Sequence, residues 1–290
     1  MSGATPLAAM GLAAIVGTAS LVALTRLASR PGRAAAILTP VLFAVLVLFL
    51  WEVLTRGVAL PQILLPAPSV IARGFWNASP ELLQDVRQTV LYAAIPGFVC
   101  GSALGMVTGI AVDRSPFLQQ GLLPLSSFAS VIPIVGVAPI MILWFGFGWQ
   151  SKAAVVLLIT FFPAFVNMVA GLREASPIER DLMASYASTY WQTLWKLRLP
   201  AALPFLFTAL KVNASLALIG AIVAEFFGAP VYGLGFRISA EIGHLALDRV
   251  WAAIAVAAVV GSAGYALLTA AERAATFWHP SQLPGFDRNS

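Results

Sequence analysis

Charge is scarce in this chain. Asp, Glu, Lys and Arg make up 10% of its 290 residues, against about 25% in soluble globular domains. That shortage excludes an ordinary soluble fold. It also excludes a nucleic-acid partner, although the net charge is +5 and the sequence pI about 9.8. In an apolar chain, a basic excess is what Lys- and Arg-rich cytoplasmic loops produce. There is one cysteine, Cys100, so neither an internal disulfide nor a thiolate metal site is available. None of the three lysines, Lys152, Lys196 and Lys211, follows a phosphate-cradling Gly-rich loop, so there is no ATP site of the Walker type. The two histidines, His244 and His279, are far apart, and neither HExxH nor GxSxG occurs. The carboxylates form no dyad and no EF-hand spacing. We expect no catalytic residue, no metal and no cofactor bound by the chain itself.

What the sequence does have is apolar length. Hydrophobic residues make up 60% of it and the mean hydropathy is +0.89. Seven apolar runs fall at 6–25, 36–56, 89–112, 119–147, 152–172, 202–226 and 250–271. Runs near 20 residues span a bilayer. The expected fold is all-α, a polytopic helical membrane protein with about 6–7 transmembrane helices. The fourth run contains Pro124, Pro133, Gly136 and Pro139 and should be broken or kinked. Broken helices survive in a membrane where protein or a water-filled cavity satisfies the freed backbone. Residues 131–139, with Pro133 and Val135, are therefore candidate pathway lining, and Met141 follows them. Asn167 and Asn213 lie deep in their runs, where each either hydrogen-bonds a neighbouring helix or lines the pathway. Glu225, near an outer end, is the last candidate. Lys211 and Glu225 share a run but lie roughly 21 Å apart, too far to pair. Lys211 should snorkel to the inner interface.

Charge placement gives the orientation. Arg26, Arg30 and Arg33 follow the first run, so that loop should be cytoplasmic. Alternation then puts 113–118, 173–201 and the C-terminus inside, with 10 basic residues inside against 6 outside and Lys211 within a span. We read the first run as a retained helix rather than a cleaved signal, since no basic segment precedes it. Two outer loops carry helical patterning. LPAPSVIARGFW (65–76) has apolar residues at helical spacing. SPELL offers Ser79 as N-cap, Pro80 at the first helical position and Glu81 in the first turn. The segment 227–249 contains the Gly-rich GAPVYGLGF.

The stretch SYASTYWQTLWKLRLPAALP (185–204) interrupts the oily pattern. Before it, Ser176, Pro177 and Glu179 form a capping box. From there the spacing predicts one helix to about Lys196, roughly 27 Å long. Ile178, Leu182, Tyr186, Tyr190 and Leu194 form its apolar stripe. It is too polar to span, and its Tyr and Trp suit a cytoplasmic interface. Such a helix either lies on lipid or enters a groove on a partner. Small residues such as Ala184 and Ala187 permit close approach.

The segment resembles the cytoplasmic signature loop of ABC importer permeases. That pattern is Glu-Ala-Ala, three residues, Gly, nine residues, Ile, one residue, Leu-Pro. The spacing is kept by Asp181-Leu182-Met183, Ala187, Leu197 and Leu199-Pro200. The letters change: Asp for Glu, Leu-Met for Ala-Ala, Ala for Gly. Inside a helix the last change should be mild, Ala being favoured over Gly by about 1 kcal/mol. KLRLPAALPFLFTALKVNASLALIGAIVAEFFG (196–228), LPAPSVIARG, MILWFGFG, FFPAFVNMVAGLR and YGLGF resemble permeases of the nitrate, sulfonate and taurine importer class. The resemblance covers 36–275. Residues 1–35 form an additional helix and basic loop outside it, and 276–290 read as a cytoplasmic tail.

The resemblance implies a coupling helix at 176–198, gripped by a separate ABC ATPase subunit that binds ATP and Mg. The residues it assigns to docking are Glu179, Asp181, Leu182, Met183, Ala184, Ala187, Tyr190, Leu197 and Pro200. It further implies a second permease chain, an extracytoplasmic substrate-binding protein meeting the 57–88 and 227–249 loops, and a bacterial cytoplasmic membrane whose lipid surrounds the chain. The implied cargo is a small solute: a sulfonate, taurine, nitrate, or a vitamin precursor such as a thiamine pyrimidine. The alternative class is a standalone ion-coupled carrier or channel, which needs mid-membrane ionisable residues. A membrane-anchored scaffold has no specific feature in its favour.

Overall fold

The computed structural model describes residues 6–29, 32–57, 64–129, 133–228 and 231–278, and all regular elements among them are helical. Five segments are long and apolar enough to cross a bilayer: Ala34–Gly57, Ser79–Arg114, Trp149–Leu172, Tyr190–Gly228 and Leu247–Ala275. The first apolar run is a helix too, α1 (Pro6–Ala28), followed by α2 (Arg33–Gly57). The fourth run is divided as its prolines require, into α6 (Pro116–Ala129) and α7 (Ile134–Phe145), of 14 and 12 residues. Neither is long enough to span alone, and α1 is not among the five, so fewer than the expected 6–7 spans qualify. Val131 and Ile132 of the candidate lining, and the tail beyond residue 278, lie outside the described residues.

The chain forms two compact units, Met1–Glu81 with Ala240–Ile254, and Leu82–Ser239 with Ala255–Ser290. In the first, α3 (Pro68–Asn77) has Pro68 in its opening turn. The Ser69 N–H and hydroxyl donate to Glu52 of α2 at 3.0 and 2.7 Å. A carboxylate at a helix N-terminus is favourable, and this one ties α3 to α2. Trp51 meets Trp251 edge to face, centroids 5.3 Å apart. Ser79 is not the expected N-cap. The chain re-enters helix directly after Ala78, so Ser79 is already the first residue of α4 (Ser79–Arg87), and its hydroxyl donates back to the Trp76 carbonyl.

In the second unit, α4 runs through a π-helical turn, Gln88–Ala94, into α5 (Ile95–Arg114). Gly97, Gly101, Gly105 and Gly109 fall on one face of α5 at four-residue spacing and are all buried. They pack on α8 (Trp149–Leu172), where an added Cβ at Gly105 would stand 2.9 Å from the Ala164 Cβ, and one at Gly109 2.7 Å from the Met168 Cβ. Small residues let membrane helices approach closely where no hydrophobic drive exists. The long helix α11 (Leu199–Gly228) packs on α8 and also touches α5. Asn213 pins the three helices together, its Nδ2 donating to Ser102 Oγ at 3.0 Å and to Thr160 O at 2.7 Å. Ala138 and Met141 of α7 pack on Val155 of α8 and Ala224 of α11.

Candidate functional site

Two polar clusters hold opposite ends of this bundle, and each is built on a π-helical turn ahead of a proline. Pro96 and Pro200 lack an N–H and crowd the carbonyl four residues back. The turn before each widens: Ile95 N–H reaches Val90 O, and Leu199 N–H reaches Leu194 O. Such turns recur at functional positions.

At one end, Arg198 closes the π turn Leu194–Arg198. Its Nη1 and Nη2 donate to both carboxylate oxygens of Asp113 at 2.7 and 2.6 Å, and its Nε to the Leu172 carbonyl at 2.9 Å. One guanidinium thus joins the ends of α5 and α8 to the start of α11. The Tyr190 hydroxyl donates to Asp113 at 3.2 Å. The Arg114 guanidinium lies 5.3 Å from the Tyr190 ring centre and 5.4 Å from that of Trp191, a cation–π range. Leu194 is buried against Met168, Leu172 and Ala202.

Between α8 and this anchor the loop projects. It is not the single helix expected from the spacing. α9 (Pro177–Ser185) ends at a turn in which Ala187 has φ +54°. There the Ser188 N–H and hydroxyl donate to the Met183 carbonyl. A second capping box, Thr189 with Gln192, starts α10 (Tyr190–Thr193). Ala187 is therefore not inside a helix, and the expectation that Ala is the better residue there is reversed. A left-handed residue bearing a Cβ costs about 1–2 kcal/mol, which gives the signature glycine its physical reason. The apolar stripe drawn through one continuous helix is broken by the same turn. Ile178, Tyr186 and Trp195 are 81%, 75% and 68% exposed.

The capping box at Ser176 is present as read. The Ser176 N–H and hydroxyl donate to Glu179 at 2.8 and 2.9 Å, and Glu179 N–H returns to Ser176 Oγ at 3.2 Å. These bonds, the backbone one foremost, hold the Glu179 carboxyl below the usual carboxylate range. Asp181, Leu182 and Ala184 are exposed on α9, Met183 half-buried. Tyr190, Leu197 and Pro200 are half-buried at the anchor.

At the opposite end, carboxylates receive backbone N–H groups. Thr89, in the π turn Gln88–Ala94, donates to Glu225 at 2.9 Å and accepts from Leu234 N–H at 2.9 Å. Glu225 also accepts from Gly235 N–H at 2.8 Å. Asp85 accepts from Gly233 N–H at 2.9 Å and from Arg237 Nε at 2.8 Å. The start of α12 (Leu234–Gly243) is thereby seated on two acidic side chains. Gly233, at φ +138°, has room for no Cβ, which would stand 2.6 Å from the Glu225 carboxyl carbon.

The predicted lining residues are dispersed. Pro133 and Val135 are exposed at the start of α7, whereas Met141 faces α8 and α11. Asn167 is half-buried and donates to Pro163 O within its own helix. Asn213 and Glu225 have no open face on this chain: they are 0% and 3% exposed. Glu225 and the Asn213 Nδ2 are taken up by the hydrogen bonds above, whereas the buried Asn213 Oδ1 has no partner among the described residues. Lys211 does not snorkel, because the last turn of α13 (Leu247–Ala275) brings Glu272 within 2.6 Å of its Nζ. Asp85, Thr89, Asp113, Arg198 and the α5 glycines were missed by sequence reading. The glycine spacing was the one local signal available. The other partners are separated by up to 152 residues. Among the described residues no group of three His, Cys, Asp or Glu side chains is placed to hold a metal.

Several membrane-length helices, no strand among the described residues and a projecting aromatic loop define a multi-pass helical membrane protein. Its family is shown by comparison. Residues 101–276 match the binding-protein-dependent transport system inner membrane component, and the chain belongs to that family. It is the permease component of an ABC importer. It is 34% identical over 246 residues to the riboflavin transport system permease protein of Chloroflexus aurantiacus, covering 83% of this chain and 90% of that protein. It is 31% identical over 249 residues to the formylaminopyrimidine transport permease protein of Halalkalibacterium halodurans, covering 84% and 97%. The taurine transport system permease protein of Escherichia coli is 29% identical over 241 residues, covering 81% and 87%. A chain of the inward-facing MetNI methionine ABC transporter matches with a TM-score of 0.55 and 16% identity, over 70% of this chain and 97% of that one, so the fold is shared.

Proposed function

We propose that this permease carries a small nitrogen-heterocyclic solute, of the pyrimidine or flavin kind, across a bacterial cytoplasmic membrane. Two relatives above 30% identity are named for such solutes, and sulfonate and taurine relatives stand slightly lower. The pathway is formed by two copies of the chain, with residues 36–275 as the permease domain. A binding protein delivers cargo to the outer loops. The loop at 176–198 docks a separate ATPase that binds ATP and Mg.

The observation that carries the docking reading is the pairing of an exposed apolar loop with a rigid base. Ile178, Leu182 and Tyr186 stand in the open, while Arg198 fixes the same loop to three span ends. A force applied to the loop passes into α5, α8 and α11 together. In this reading Glu179 shapes the start of α9, Asp181, Leu182, Met183 and Ala184 meet the ATPase groove, and Ala187 makes the turn. Tyr190, Leu197 and Pro200 carry the movement into α11.

The test is co-purification from the native host, with wild type beside Ile178→Glu. An ATPase subunit recovered with wild type and lost with the variant, both folded, supports the reading. Recovery with neither, together with uptake driven by an ion gradient, favours the standalone carrier. Cargo is tested by uptake into vesicles containing the complex and its binding protein, with pyrimidines competing against taurine.

A further inference from the structure

The α5–α8 seam closes through glycine, but α1 and α2 do not close. Between them lies a groove of about 700 Å³, lined by Leu24, Leu27, Leu42, Leu46 and Phe49, with Arg26 at its wall. The helices form a hairpin with only residues 29–32 between them. Its register follows from Gly17, where an added Cβ would stand 3.4 Å from Leu50 Cδ2. Nine residues on, Arg26 is level with about Val41, eight residues into α2. At about 1.5 Å per residue it sits roughly 12 Å along α2 from Arg33. That end of α2 is AAAILT, with no acidic residue. Among the described residues no carboxylate pairs with Arg26.

Arg26 is exposed in the last turn of α1, at the end of the groove where lipid headgroups lie, and a cation there attracts an anion. The oily wall below it requires a chain to fill it. One class of molecule supplies both. We propose that the α1–α2 groove binds one anionic phospholipid, its acyl chain between the helices and its phosphate on Arg26. Arg30 and Arg33 follow in the sequence. A basic side chain near an anionic surface contributes about fivefold in affinity. An acyl chain carrying a phosphate matches both the oily wall and the Arg26 charge, whereas an uncharged helix face would match only the wall.

The test is native mass spectrometry of the purified full chain, delipidated in detergent and titrated with dioleoyl phosphatidylglycerol or dioleoyl phosphatidylcholine. Wild type should retain one phosphatidylglycerol with several-fold preference over phosphatidylcholine. Arg26→Gln should reduce that preference to near one and leave phosphatidylcholine retention unchanged. Ala23→Phe, which fills the groove, should reduce retention of both. Arg273→Gln, in the last turn of α13, should change nothing. Equal retention of the two lipids by wild type overturns the proposal. So does an equal loss in Arg273→Gln, which would mean that charge acts diffusely rather than at the groove.

Discussion

The two anchored ends of the bundle use the same device with opposite polarity. At the Arg198 end a half-buried cation gathers a carboxylate and a backbone carbonyl. At the Glu225 end buried carboxylates gather the Thr89 hydroxyl and the Gly233 and Gly235 N–H groups, and that hydroxyl in turn accepts from Leu234 N–H. Each sign suits what must be held. Helix C-termini present free carbonyls and the start of a helix presents free N–H groups, so α5 and α8 end on a cation and α12 begins on anions. The ends differ in what they leave uncovered. The first supports a loop with exposed Ile178, Tyr186 and Trp195, whereas Asp85, Thr89, Glu225 and Leu234 at the second are nearly all inaccessible. One end is built to be gripped and the other to hold itself together.

The largest effect should come from cutting the cation. Arg198→Ala leaves the largely enclosed Asp113 without its ion pair and with only the Tyr190 hydroxyl as a side-chain donor, a loss of about 3 kcal/mol, read as a drop in thermal unfolding temperature in detergent. Asp113→Ala should cost a similar amount, and the double variant clearly less than the sum, since the two act as one pair. At the opposite end Thr89→Val keeps the shape but removes both the donor to Glu225 and the acceptor for Leu234 N–H. That should cost about 1–3 kcal/mol. A larger loss there than in Arg198→Ala would reverse the ranking of the two ends. Within the gripped loop, Ala187→Gly should stabilise by about 1 kcal/mol, by removing a Cβ from a left-handed residue. No gain would mean that the turn is not as described.

The smallest effect is a pH dependence. The Glu179 carboxyl titrates below its ordinary value because Ser176 donates to its charged form. A lowered folded-state value contributes stability above the ordinary carboxylate pKa, lost as the pH falls through the folded value. Glu179→Gln should flatten that dependence in unfolding curves recorded on the acid side, leaving the neutral-pH profile of Arg198→Ala untouched. The two sites would then be separable.

The spans were legible because twenty consecutive apolar residues have few alternatives to a bilayer helix. The run 152–172 became Trp149–Leu172, and 202–226 became Leu199–Gly228. The capping box at Ser176 was legible because both its partners lie within four residues. The break after Ser185 was not, because the residue at the turn is Ala187, whose propensity argues for continuing the helix. The partners of Glu225 and Lys211 were hidden for a different reason. Glu225 meets Thr89 across 136 residues and Lys211 meets Glu272 across 61, and no local pattern encodes such pairs.

The sequence by itself thus determined that the chain lives in a membrane, which segments are helical, where the polar loop emerges and which family it resembles. The first three follow from hydropathy, periodicity and spacing, which act over one helix length, and the resemblance rests on the motifs quoted for it. Only the tertiary structure decided that Asn213 and Glu225 bind neighbouring helices, that Arg198 joins three span ends and that Ala187 turns the loop. In hydrocarbon a polar group must find whichever partner the packing brings near. That partner is chosen by the glycine-close approach of α5 to α8 and by the π turns before Pro96 and Pro200.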